Sequence, residues 1–207
     1  MRSKFIATSL AVALISATNV GSAAADTAKP GQSMTHMKTG AGLASALEAA
    51  GVVLYVQGGA TSAVMGDSIA AANGQVVFHI PITGTKSGVA HVGSTVVFFN
   101  TANNKQVELR NPLIDLAKAE VSAVIPQVST TPMAVLSISN AAALKAKVTN
   151  DRKGGVRSTK YEGASLTLAP GIAAALVSLL GLPAGALPEG ASFGSADVSL
   201  YSKIKKK

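Results

Sequence analysis

Between residues 52 and 139 the chain repeatedly sets a short apolar, β-branched run against a patch of turn chemistry, and this punctuation constrains the fold more than any other feature. The run Val52-Val53-Leu54-Tyr55-Val56 is closed by Gly58-Gly59. Residues 75–82 follow Asn73-Gly74, residues 89–92 follow a glycine-flanked segment, and residues 95–99 come next. β-Branched and aromatic side chains suit a pleated, half-buried surface, and Gly and Asn supply the turns between such runs. Asn103-Asn104 separates residues 95–99 from residues 106–109, the spacing of a hairpin with a loop of several residues. Residues 113–116, 120–125 and 133–139 continue the series. Leu136 and Ile138 alternate with Ser137 and Ser139, which predicts a sheet with one wet face.

Helical spacing occurs twice. Leu43, Ala46, Leu47 and Ala50 are closed by Gly51, and Ile172, Ala175, Leu176 and Leu179 run from Pro170 to Gly181. The second segment is far shorter than the roughly 20 residues a bilayer demands, so it is read as a buried core helix. Residues 165–168 alternate as a strand before it, and residues 195–201 form a last strand after it. The expected fold is mainly β, a two-sheet antiparallel β-sandwich-like domain with one or two short accessory helices.

The N-terminus reads as a cleavable signal peptide: Arg2 and Lys4 precede an apolar run from Phe5 to Ile15, and Ala23-Ala24-Ala25 offers a small-residue cleavage site. Cleavage there leaves 182 residues (207 minus 25), enough for one domain with its own core. The expected organisation is a signal peptide over 1–25, a flexible leader over 26–40, a β domain over 41–202 and a basic tail over 203–207. The expected location is secreted, extracellular or attached to the cell wall, with no transmembrane helix in the mature chain.

The chain contains no cysteine, which excludes disulfides, thiolate metal sites and cysteine nucleophiles together. No Gly-x-Ser-x-Gly elbow precedes a helix, no glycine pair is followed by the Lys-Ser/Thr of a phosphate-cradling loop, and no dedicated pair of carboxylates is visible, so no enzymatic activity is expected. The formal charge of +8 is concentrated. Outside the signal segment, Lys145, Lys147, Arg152, Lys153, Arg157 and Lys160 cluster against Asp151 alone, and Lys203, Lys205, Lys206 and Lys207 end the chain. Such clusters are either solvated loops or the electrostatic footprint of an anionic wall polymer or surface protein. Tyr161 is the sole neighbouring aromatic, which argues against nucleic acid.

Three histidines carry the remaining chemistry. His36 lies with Met34 and Met37 in the leader, a soft nitrogen and sulfur set of the kind that suits copper. His79 and His91 stand on separate expected strands, but no acidic residue has the spacing to complete a metal site with them, and none is expected. Tyr55, His79 and His91 are the candidates for reaching into a groove between sheets.

The stretch from Leu166-Thr167-Leu168-Ala169-Pro170-Gly171 through Ala175-Leu176, followed by Phe193-Gly194-Ser195-Ala196-Asp197-Val198, resembles the closing strand-helix-strand of HtaA-type domains of bacterial surface proteins. Phe78-His79-Ile80-Pro81-Ile82, Gly88-Val89-Ala90-His91-Val92-Gly93 and Val107-Glu108-Leu109-Arg110-Asn111-Pro112 are similar to that family's successive strands. The resemblance implies a two-sheet β fold at the cell surface, and in its haem-binding members a tyrosine ligand supported by a histidine. Those members carry an N-terminal Trp-Gly and Ser-Phe-x-x-Tyr type motif. This chain has no tryptophan and no tyrosine in its leader, and only His91 matches the supporting histidine. The resulting expectation is an exported, non-catalytic structural or interaction module without a cofactor, with haem or another small apolar ligand as the alternative.

Overall fold

The computed structural model describes residues 32–64 and 74–204. The expected signal peptide, the first residues of the leader and Lys205 to Lys207 lie outside the described residues. In chain order the elements are β1 Met34–Thr39, α1 Leu43–Ala49, β2 Val52–Gly58, β3 Thr61–Val64, β4 Val76–Pro81, β5 Val89–Ala90 and β6 Ser94–Asn100. They continue with β7 Lys105–Asp115, β8 Glu120–Val124, β9 Met133–Ile138, β10 Lys147–Asp151, β11 Val156–Leu168, α2 Ile172–Leu180 and β12 Ser192–Lys203. The mainly β, antiparallel architecture with two short helices agrees with the sequence.

The twelve strands belong to one hydrogen-bonded sheet, in the order β2-β6-β7-β8-β9-β11-β12-β1-β4-β3, with β10 added to β11 and β5 to β7. The two ends of this path, β2 and β3, are consecutive in the chain, so the sheet curls until it is nearly closed. The layers that face one another are therefore opposite walls of a single curled sheet. Curling hides most of the exposed backbone that an open sheet leaves at its edges.

One correction concerns the leader. Met34–Thr39 is strand β1, inserted between β12 and β4, with Thr35 opposite Val198 on one side and Ile80 on the other. Its inward positions are Thr35, Met37 and Thr39, so the inner face of the strand is largely hydroxyl and carries little apolar signal. Thr39 Oγ1 is satisfied there by the Val76 backbone N–H at 2.8 Å. Other differences are smaller. Residues 106–109 and 113–116 are one strand, β7, interrupted at Asn111-Pro112, where the register with β8 shifts. β10 and the first half of β11 fall in the stretch read as a basic cluster.

A single apolar core fills the curl, with Phe78, Ile125, Val107, Val135 and Leu176 all but fully buried. At one end of it, Phe98, Leu168 and Phe193 meet Leu43 and Leu47 of α1 and Leu176 of α2. Helix α2 runs over the residues its periodicity predicted. Glu189, from the segment before β12, caps it by accepting hydrogen bonds from the Gly171 and Ala174 N–H groups at 3.0 and 3.2 Å. A carboxylate at that end is also favoured by the helix dipole. At the other end Gly181 adopts the left-handed conformation that closes a helix. The Leu180 carbonyl there accepts from the amides of Asn100 and Asn103, each at 2.9 Å, which fastens α2 to the β6–β7 hairpin.

Gly194 fixes how closely β12 can approach β1. Its φ is 144°, and a Cβ at this position would overlap the Lys38 carbonyl oxygen and lie 2.8 Å from the Gly40 nitrogen. Gly194→Ala is expected to cost more than about 2 kcal/mol, because strain and overlap add. Gly185→Ala, where φ is also positive but nothing lies within 4 Å, should cost about 1 kcal/mol. Urea unfolding of the two variants measures the difference.

Candidate functional site

An apolar cavity lies inside the curl, and the one imidazole among its lining residues belongs to His91. Its walls are aliphatic, with Val96, Leu109, Ile114, Val135 and Leu166 among them, joined by Thr35 and Tyr161. His91 is 1% exposed. It sits in the corner between β5 and β6, and the corner is anchored to the interruption of β7. The Pro112 carbonyl accepts from the His91 backbone N–H at 2.9 Å and from its Nδ1 at 3.0 Å. Asn111, with a φ of 52°, turns its Oδ1 to the Gly93 N–H at 2.8 Å. Proline has no N–H to contribute to the ladder, so the interruption of β7 loses no bond it would otherwise have made.

The tautomer follows from these partners. A carbonyl only accepts, so Nδ1 carries the proton, and Nε2 accepts from the Thr35 hydroxyl at 2.8 Å. Both ring nitrogens are thereby satisfied by the protein itself, and the imidazole links β1, the β5–β6 corner and β7. Burial disfavours the charged ring and pushes its pKa below the ordinary value, while the hydrogen bond to Pro112 acts weakly in the opposite direction.

The three residues nominated as a ligand set do not converge. His91 points inward. His79 and Tyr55 occupy outward positions of β4 and β2, alternating with buried Phe78 and Ile80 in one strand and buried Val52 and Leu54 in the other. The fit to haem can be judged on the same geometry. The cavity is about 40 Å³, a few waters' worth of space when one water needs about 10–15 Å³. The His91 nitrogens are already engaged, and the resemblance's tyrosine has no counterpart at the cavity except Tyr161. The cavity at His91 does not fit a haem.

Of the six basic residues of the second nominated set, the register sets Lys147 and Lys160 on one face of β10 and β11 and Arg157 on the other, and Lys145 precedes β10. β10 pairs only with β11, and every residue of β10 is exposed, so β10 and the start of β11 form a ribbon carried beyond the curl on the end of β12. Lys147 stands directly opposite Lys160, and Asn150 opposite Arg157. Lys203 of β12 lies opposite Val156, on the face that carries Lys147 and Lys160. Arg152 and Lys153 occupy the hairpin turn, where Asp151 spends its Oδ1 on the Gly154 N–H at 2.9 Å. None of the six basic side chains makes an ion pair among the described residues. Linear clustering in the sequence was the signal for this ribbon; the opposition of two lysines emerges only from the register. Tyr161 is turned to the cavity wall instead of the ribbon surface.

Among the described residues no group of three or more His, Asp or Glu side chains is placed to hold a metal ion, and no helix is long and apolar enough to cross a membrane. No family model matches the chain, and neither a curated protein nor a solved structure matches it.

The His91 environment sets a pH dependence. With its folded pKa depressed, the unfolded chain binds the proton more readily. The contribution of His91 to stability is thus fully present above the ordinary imidazole value of about 6.5 and is lost as pH falls through the lower folded value. Urea midpoints measured between pH 8 and pH 5 should fall more steeply for the native sequence than for His91→Gln. At neutral pH that variant should itself be less stable by about 1–3 kcal/mol, since the Thr35 hydroxyl and the Pro112 carbonyl lose a buried partner.

Proposed function

We propose that the chain is an exported, non-catalytic β domain that acts as an interaction module and holds an anionic partner on its β10–β11 ribbon. The observation that carries this reading is the placement of Lys147 opposite Lys160 at the base of a projecting hairpin whose cations have no ion-pair partners among the described residues. Like charges directly across a ladder oppose strand pairing, by roughly 0.2–1 kcal/mol per pair. A polyanion reverses that sign, because a phosphate or carboxylate laid between Lys147 and Lys160 is shared by both cations. The surface is narrow and exposed, and Tyr201 of β12, opposite Ser158, is the one aromatic that the register sets on the face of Lys147 and Lys160, which suits a flexible linear polymer of the cell wall better than a run of stacked bases. Export is supported by the charged, apolar and small-residue pattern of residues 1–25.

Long-chain inorganic polyphosphate serves as a probe for such a polymer. Binding measured by calorimetry should weaken as salt shortens the screening length from about 10 Å at 0.1 M toward 3 Å at 1 M. The double substitution Lys147→Glu, Lys160→Glu should lower the affinity by about tenfold or more, equivalent to about 1.4 kcal/mol. Affinity that is indifferent to that substitution would remove the ribbon from the reading.

A second reading, a small apolar guest inside the curl, is favoured by the cavity lined by Val96, Ile114 and Val135. At about 40 Å³ the space admits only a guest of very few atoms. Xenon is the appropriate probe, since dry apolar cavities take it up. A shifted xenon resonance in the presence of the protein supports this reading, and an unshifted one excludes it.

A further inference from the structure

On the outer face of the sheet, β4, β1 and β12 set His79, His36 and Asp197 in one row: His36 is paired with His79 on one side and with Asp197 on the other. The rings of His36 and His79 meet edge to face, with centroids 4.7 Å apart and planes at 76°. Nδ1 of His79 is covered and has no hydrogen-bond partner among the described residues. Covered polar atoms are nearly always paired, and the exceptions often mark the place of a water or an ion. The strand periodicity also settles which of the neighbouring methionines belongs with the histidines. Met37 points into the core, whereas Met34 takes an outward position on β1, the face of His36.

We propose that His36 and His79 are the two protein ligands of an open site for a late first-row transition ion, with Cu²⁺ bound most tightly. Neutral imidazole is a borderline donor that suits copper, nickel and zinc, and affinity along that series peaks at copper. Two imidazoles opposed across adjacent strands need only small ring rotations to aim one nitrogen each at a common ion, and the sheet holds their backbones in place. Met34 adds a thioether to the same face, a soft donor of the kind copper takes as a weak further ligand. Asp197, beyond His36 in the row, contributes negative charge, although its Oδ1 already accepts from the Gly163 N–H at 2.7 Å. Lys38, at the next outward position of β1, opposes it. With no third imidazole or carboxylate placed to close the shell among the described residues, the remaining positions belong to water or to an incoming molecule. The site is accordingly one for an exchangeable ion, unlike a structural zinc site, which is closed by four protein ligands.

The test is a calorimetric titration of the chain with CuCl₂, NiCl₂ and ZnCl₂. One Cu²⁺ per chain is expected, with Ni²⁺ and Zn²⁺ weaker. His36→Ala and His79→Ala should each reduce Cu²⁺ affinity by about tenfold or more. Because β1 and β4 lie inside the sheet, far-UV circular dichroism checks that each variant is folded. Electron paramagnetic resonance of the Cu²⁺ complex of the unsubstituted chain provides a readout that needs no variant. Coupling to two imidazole nitrogens supports the site. A spectrum without imidazole nitrogens, or an affinity unchanged in folded His79→Ala, overturns it.

Discussion

Everything else in this fold depends on a six-residue strand with its neighbours on both sides. β1 supplies the backbone groups that satisfy β12 along one edge and β4 along the other, and without it the sheet would break into the β3–β4 hairpin and the remainder. A row of unpaired N–H and C=O groups inside an apolar curl would cost far more than any one side chain contributes. The hydroxyls of Thr35 and Thr39 tie the inner face of this strand to its surroundings, one through His91 and the other through the backbone of Val76. The polar pin at His91 and the completion of the sheet are thus parts of one arrangement. The imidazole holds the β5–β6 corner against both β1 and the interruption of β7, and its burial is tolerable because both its nitrogens are satisfied.

Inside and outside of the curl divide the chemistry cleanly. The inside is aliphatic and closely packed, and its imidazole is neutral and engaged. That combination leaves little room for ligand chemistry around His91. The outside carries a histidine pair on β1 and β4 and a ribbon of cations on β10 and β11. Both are cross-strand features, in which two side chains from distant parts of the sequence are presented at one spacing by the ladder. An antiparallel sheet is well suited to such presentation, since residues directly opposite stand about 5 Å apart on the same face.

What the sequence disclosed follows the same division. Helix α2 was legible over its full length because its apolar spacing is bounded by glycines at both ends, and the strands of the middle third were legible because their inward residues are valine, leucine, isoleucine and phenylalanine. β1 was not, because two of its three inward residues are threonines and its outward ones include two residues that look like metal-binding chemistry in a loop. β10 was not, because a projecting ribbon with both faces wet has no apolar alternation to read. β7 was read as two strands because Asn111-Pro112 is turn chemistry, used here to seat a corner from another part of the chain. The basic cluster was visible as composition, but its order was not. Pairings such as His36 with His79 or Lys147 with Lys160 are properties of register, which depends on strands that the local pattern did not reveal.

The position of β1 in the sheet also sets a condition on time. Its partner β12 comes last among the described strands, and Thr35 finds Val198 only once every element between them has been made. Until then one edge of β1 is open and the curl cannot close, although β2, β6, β7, β8 and β9 can already pair with one another. Contacts of such long sequence separation also make for slow folding once the chain is complete. The pairing that completes the molecule is therefore among the last that a growing chain can make, and it locks what earlier pairings only begin.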